Sequence, residues 1–226
     1  MHSSRRDFVQ HVAAGAVGIS GLSGLELSLP SDLRAASMAQ SPAWDISWTT
    51  RLKGKHKACF DCTEPESGYG VWRASAWAAQ YMVVMKVTAA DLSPVIILRH
   101  NAIVLAMQQS FWDKYGIGKA KNVLHPITQQ PTAKNPALLS TAGGEVPAQF
   151  EPMALDKFIG RGGIALACNL ALQDCVELIK SKEGANDADA RKAAIGYLVP
   201  GVILQPSGVF AAIRAQEAGA TYLRAS

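Results

Sequence analysis

Three short, unbroken apolar runs constrain this chain most: Pro94-Val95-Ile96-Ile97-Leu98, Ile164-Ala165-Leu166-Ala167-Cys168 and Val202-Ile203-Leu204. A strand with one wet face alternates apolar and polar side chains, whereas a continuous run signals burial on both faces, as in a parallel sheet. The stretches between these runs have helical spacing. Val71 to Met85 places Trp72, Ala76, Trp77, Ala79, Met82 and Val83 three and four residues apart, which predicts a helix. His100-Asn101 ends the strand before it, and Val104 to Tyr115 returns to the same periodicity. Further helices are expected over Leu155–Arg161, Asn169–Lys180, Asp187–Leu198 and Val209–Ala218, the last with Ser207 as its N-cap. Lys57–Cys62 and Ala220–Arg224 complete the strands. The pattern predicts an α/β fold with an open, mostly parallel five-stranded sheet and helices on both faces.

Two segments depart from this rhythm. Ser4-Arg5-Arg6-Asp7-Phe8-Val9 precedes a weakly apolar run, Val12 to Leu25, carrying Gly15, Gly18, Gly21 and Gly24. Paired arginines before such a run match a twin-arginine export signal, and the run is too short to span a bilayer. Ser37-Met38-Ala39 offers small residues to a signal peptidase, so cleavage is expected after Ala39. The expected address is the periplasm, reached through the twin-arginine translocase in the folded state. The organisation is therefore a signal over 1–39, an irregular arm over 40–56, and one α/β domain over 57–226. Within that domain 119–152 reads as an insertion covering one end of the sheet, with Pro126, Pro131, Pro136, Pro147 and Pro152 and little periodicity.

Composition excludes some partners. A net charge of +4, spread along the chain, leaves no footprint for nucleic acid. No later segment is long and apolar enough for a stable membrane anchor. A hydrophobic fraction of 49% beside 18% charged residues is high for a lone domain and predicts a homo-oligomer. The Gly-rich nucleotide cradles are absent: no G-x-G-x-x-G follows the first strand, and there is no Walker-type loop.

In parallel sheets, ligands bind beyond the carboxyl ends of the strands, at a topological switch point. That rule selects Arg99, His100 and Asn101, then Cys168 and Asn169, then Gln205, Pro206 and Ser207. Cys168 closes a strand and precedes a helix, so the positive end of the helix dipole faces its sulfur. His100 brings an imidazole, the residue type used for proton transfer near neutral pH. Arg99, Asn101, Asn169, Gln205 and Ser207 are candidate ligand-binding groups. Cys175, two turns after Cys168, is expected to face the same way, as core. Cys59 and Cys62 have C-x-x-C spacing but sit on a strand, where residues three apart face opposite sides. They read as packing residues. His56, His125 and Asp61 have no spacing that demands a metal, and the sequence leaves any cofactor unknown.

At these residues the chain resembles the DsrE/DsrF-like family, which includes sulfur-relay proteins, and in particular exported bacterial members with twin-arginine signals. The resemblance runs through Trp44-Asp45 to Lys55-His56-Lys57, Val95 to Ala102, and Phe111-Trp112-Asp113-Lys114-Tyr115. It continues through Leu166-Ala167-Cys168-Asn169-Leu170-Ala171-Leu172 and Gly201 to Gly219. It implies a three-layer α/β/α sandwich, frequent oligomers, and a cysteine that carries a persulfide. Cys168 matches that cysteine and His100 a recurrent strand-end histidine, while Cys59 and Cys62 lie outside the pattern. The expectation is a carrier of sulfur, or a thiol–disulfide protein, acting on a small sulfur-containing ligand. Two alternatives stay open: a small-ligand or metal-binding module, and an oligomeric structural subunit in which Cys168 is core.

Overall fold

The apolar runs become the strands of one sheet. In the computed structural model, which describes residues 44–226, β1 is His56–Cys62, β2 Leu92–Leu98, β3 Ile164–Cys168, β4 Ile203–Gln205 and β5 Thr221–Arg224. The residues expected to direct export, Arg5, Arg6 and Ala39, lie outside the described residues. The spatial order is β4-β3-β2-β1-β5 and every pairing is parallel. β3 is buried along its whole length.

Alternation along the strands divides the core in two. Phe60, Cys62, Ile96, Leu98, Ala165 and Ala167 face one side, while Cys59, Val95, Ile97, Ile164 and Leu166 face the other. On the first side lie α1 (Tyr69–Val84), which buries Val71 and Ala74, and α5 (Asn169–Glu183), which buries Leu172, Cys175, Val176 and Ile179. On the second lies α7 (Gly208–Glu217), through Ala211, Ala212 and Ala215. The result is a three-layer α/β/α sandwich. The shorter helices are α2 (Gln109–Tyr115), α3 (Ile117–Ala120), α4 (Leu155–Gly160) and α6 (Asp187–Gly196).

One expectation is corrected. Val104 to Tyr115 is not a single helix: a 3₁₀ segment, His100–Ala106, precedes α2, with extended backbone at Met107 and Gln108. Apolar spacing cannot separate these cases, because Ala102 to Met107 is buried on all sides. The backbone carbonyls there are satisfied from elsewhere. Trp112 donates its indole N–H to the Val104 carbonyl at 2.7 Å, and the Asn135 amide donates to Leu105 and Met107 at 3.1 and 2.8 Å.

Asn135 also ties the insertion down, since 119–152 is irregular apart from short 3₁₀ turns at Pro136–Leu138, Ala142–Gly144 and Ala148–Met153. Tyr69, at the start of α1, donates its hydroxyl to the Pro126 carbonyl at 2.8 Å. The insertion therefore packs where α1 begins, beyond the carboxyl end of β1.

The arm before β1 is part of the core. Its 3₁₀ turn, Ser47–Arg51, sinks Trp48 completely into the α7 side of the sheet. The Trp48 indole N–H donates to the Gln205 side-chain oxygen at 3.0 Å, and the Gln205 amide donates to the Asp45 carbonyl at 2.7 Å. Trp48→Ala should cost about 3–5 kcal/mol of stability in urea unfolding. Trp48→Phe, which keeps most of the packing but strands the Gln205 oxygen, should cost about 1–3 kcal/mol. An alanine variant as stable as the parent would contradict this placement of the arm.

Candidate functional site

The strand order decides where a crevice opens. β3 and β4 are neighbours, with Cys168 opposite Gln205 in register. The chain leaving β3 enters α5 on one side of the sheet, and the chain leaving β4 enters α7 on the other. Adjacent strands with diverging exits define the switch point. Two helix N-termini therefore flank it. β2 ends beside them: Leu98 pairs with Ala167, so the next residues along are Arg99 and Cys168.

Cys168 is the N-cap of α5, and its sulfur accepts the Ala171 backbone N–H at 3.4 Å. The residue is 6% exposed, sitting at the rim but mostly covered. A donor N–H and the positive end of a fifteen-residue helix thus face any negative charge that develops on the sulfur. The other cysteines differ. Burial pushes the thiols of Cys59, Cys62 and Cys175 up to about 12, with Asp61 adding to the first two and Asp174 to the third. None of the four is in a disulfide, and Cys59 and Cys62 lie in the two different halves of the core.

The remaining candidates are on the rim, but most are already engaged. Gln205 is fully buried, and its side chain is engaged with Trp48 and the Asp45 carbonyl of the arm. Ser207 caps α7 by accepting the Phe210 N–H at 3.0 Å. Asn169 accepts from the Arg191 guanidinium at 2.7 Å, tying α5 to α6. Asn101 donates to the Glu64 carboxylate and accepts from Lys121 on the surface. His100 is exposed with a left-handed backbone, φ 48°, a conformation that a non-glycine residue holds only when its surroundings impose it. Among the described residues its ring makes no hydrogen bond, so imidazole and thiol share the rim without touching through one.

Asp61 is the group that spacing alone did not reveal. It is 1% exposed near the carboxyl end of β1 and accepts both arms of the Arg99 guanidinium at 2.7 Å. The Tyr222 hydroxyl donates to the same carboxylate at 2.6 Å. Hydrogen bonding to Asp61 raises the pKa of Arg99 and of Tyr222. Arg99 also lies over Gly208, where a Cβ would sit 2.4 Å from its Cδ, so glycine lets the start of α7 approach the pair. Removing one partner of such a buried pair typically costs about 3–5 kcal/mol. The clue in the sequence was a carboxylate inside Cys59-Phe60-Asp61-Cys62, a run that is otherwise apolar: a buried charge needs a partner, and Arg99 ends the neighbouring strand.

No protein-family profile, curated protein or solved structure matches this chain. The reading of the site therefore rests on its own geometry. Among the described residues, no three His, Cys, Asp or Glu side chains gather closely enough to hold a metal ion. A separate cavity of about 270 Å³ lies between the start of α1 and the insertion, walled by Tyr69, Trp72, Ile127, Leu139 and Phe150. It does not reach Cys168.

The four thiols should separate on alkylation. Near pH 7, iodoacetamide should label Cys168 well before the other three, because a thiol pushed up to about 12 stays protonated and unreactive there. Labelling of Cys59, Cys62 and Cys175 should appear only as the pH climbs towards that value or the fold opens. Peptide mass mapping that finds Cys175 or Cys62 labelled first would contradict the assignment.

Proposed function

We propose that this chain is an exported, DsrE-like sulfur carrier that takes up a sulfane sulfur on Cys168. One observation carries the reading: the Cys168 sulfur caps α5 and receives the Ala171 N–H, at the crevice flanked by the starts of α5 and α7. The same position agrees with the resemblance in Leu166-Ala167-Cys168-Asn169. The three-layer fold with an all-parallel sheet is the architecture which that resemblance implies.

The transfer balances without an outside oxidant or reductant. The Cys168 sulfur attacks the outer sulfur of a small persulfide, R–S–SH. A new S–S bond forms on Cys168, the donor S–S bond breaks, and R–S⁻ leaves with the electron pair. The proton released by Cys168 ends on that leaving thiolate. His100 is the group assigned to move it, being the exposed imidazole two residues past the end of β2, the strand adjacent to β3. Delivery to an acceptor thiol is the same exchange in reverse.

Intact-mass measurement after treatment with cysteine persulfide should show a gain of about 32 Da, one sulfur atom, on Cys168. Dithiothreitol should remove it, Cys168→Ala should abolish it, and His100→Ala should slow its formation about tenfold or more. An adduct confined to another cysteine, or none, would overturn the carrier reading and leave Cys168 as a helix cap alone. The export part is tested separately. Arg5→Lys with Arg6→Lys should hold the protein in the cytoplasm, and unchanged export would contradict it.

A further inference from the structure

The opposite, amino edge of the sheet has a different character. The last turn of α1 and its C-cap present Met82, Val83, Val84 and Met85 in succession, and all four are exposed, Val83 by 77% and Val84 by 74%. Exposure of that size marks a projecting tip, not the wall of a groove. Isolated surface apolar residues are ordinary, but four in a row at one helix end form a patch.

Basic residues lie beside that tip. Lys53 and Lys55 are exposed in the segment leading into β1, and Lys86 follows the tip directly, whereas Arg51 donates to the Gly162 carbonyl at 3.5 Å and Lys57 to the Ala218 carbonyl at 3.1 Å. These segments adjoin in space: His56 packs edge-on against Tyr81 at 5.3 Å, and His56 pairs with Leu92 in the parallel ladder. Across residues 51–57 and 81–93 there are five lysines and arginines and one acid, Asp91. The Asp91 carboxylate is taken up by Thr88, accepting its backbone N–H at 2.8 Å and its hydroxyl at 2.7 Å.

We propose that this edge docks reversibly on an anionic phospholipid surface, with Met82 to Met85 entering the interface and the lysines meeting the headgroups. Charge complementarity selects the occupant. An apolar protrusion flanked by the exposed Lys53, Lys55 and Lys86 suits a negatively charged bilayer, where apolar burial and electrostatic attraction add together. A second copy docking by two-fold symmetry would set the same lysines against each other. The inference is independent of the thiol chemistry. It concerns a peripheral contact, and among the described residues no helix is long and apolar enough to cross a membrane. Because the tip lies at the amino edge and Cys168 at the carboxyl edge, docking leaves the crevice facing away from the lipid.

The test is flotation of the full chain with vesicles of phosphatidylcholine alone, or of phosphatidylcholine and phosphatidylglycerol in equal parts. The bound fraction should rise with phosphatidylglycerol and fall with added salt. V83E/V84E and K53E/K55E should each weaken binding about tenfold or more, with unchanged circular dichroism because the altered side chains are exposed. Every protein compared carries the same residues 1–43, so the difference reports the patch. Equal binding to both vesicle types, or binding unmoved by either double substitution, would overturn the proposal. So would a dimer in sedimentation that V83E/V84E dissociates, which would give the patch to a second copy.

Discussion

A right-handed crossover between parallel strands can pass over only one face of the sheet, and that rule arranges this molecule. β1 to β4 step across the sheet in one direction, so their connections share a side; the link from β4 to β5 returns past β3, β2 and β1 and must cross the other. α7 is thereby left to cover its face with little help. Its small inward residues, Ala211, Ala212 and Ala215, allow close approach but supply little volume. Trp48 from the arm fills the remainder, and Gln205 holds it at the end of β4. The arm is thus a structural requirement of the topology. The same reversal sends α5 and α7 to opposite sides of adjacent strands, which places the topological switch point beside Cys168.

The polar groups at the carboxyl edge are largely occupied with one another. Arg99 is held by Asp61, Asp61 also by Tyr222, Gln205 by the arm, and Ser207 and Asn169 by backbone and side-chain partners. Such pairing is expected where charge and amide groups are withdrawn from water, since an unpaired one is costly. It removes most of the rim from direct ligand binding and leaves a sulfur that already receives a backbone N–H. The carboxyl edge is therefore well knit, while the opposite edge exposes apolar and basic groups.

Local pattern made much of this legible. Short apolar runs locate β2, β3 and β4 to within a residue or two, although Val202–Leu204 is only half-buried because β4 is an edge strand; Ser207 is legible as the cap of α7, and Cys168 falls at the strand–helix junction. Pairing across the sheet was not legible. The Asp61–Arg99 bond joins residues 38 apart, and Gln205 meets Trp48 across 157. Neither separation has a period, so neither leaves a signature along the chain. The 3₁₀ segment at His100–Ala106 escaped for another reason: full burial erases the helical face that periodicity detects. Asn135, far along the insertion, supplies the hydrogen bonds that let that segment depart from an α-helix.

The central claim is that the diverging exits of β3 and β4 create the reactive place in this fold. A crystal structure of the protein after cysteine persulfide treatment tests it most directly. The account predicts added sulfur density continuous with the Cys168 sulfur and directed between the starts of α5 and α7. Density on Cys59, Cys62 or Cys175 instead, or an unmodified Cys168 with its sulfur directed into the core, would contradict it.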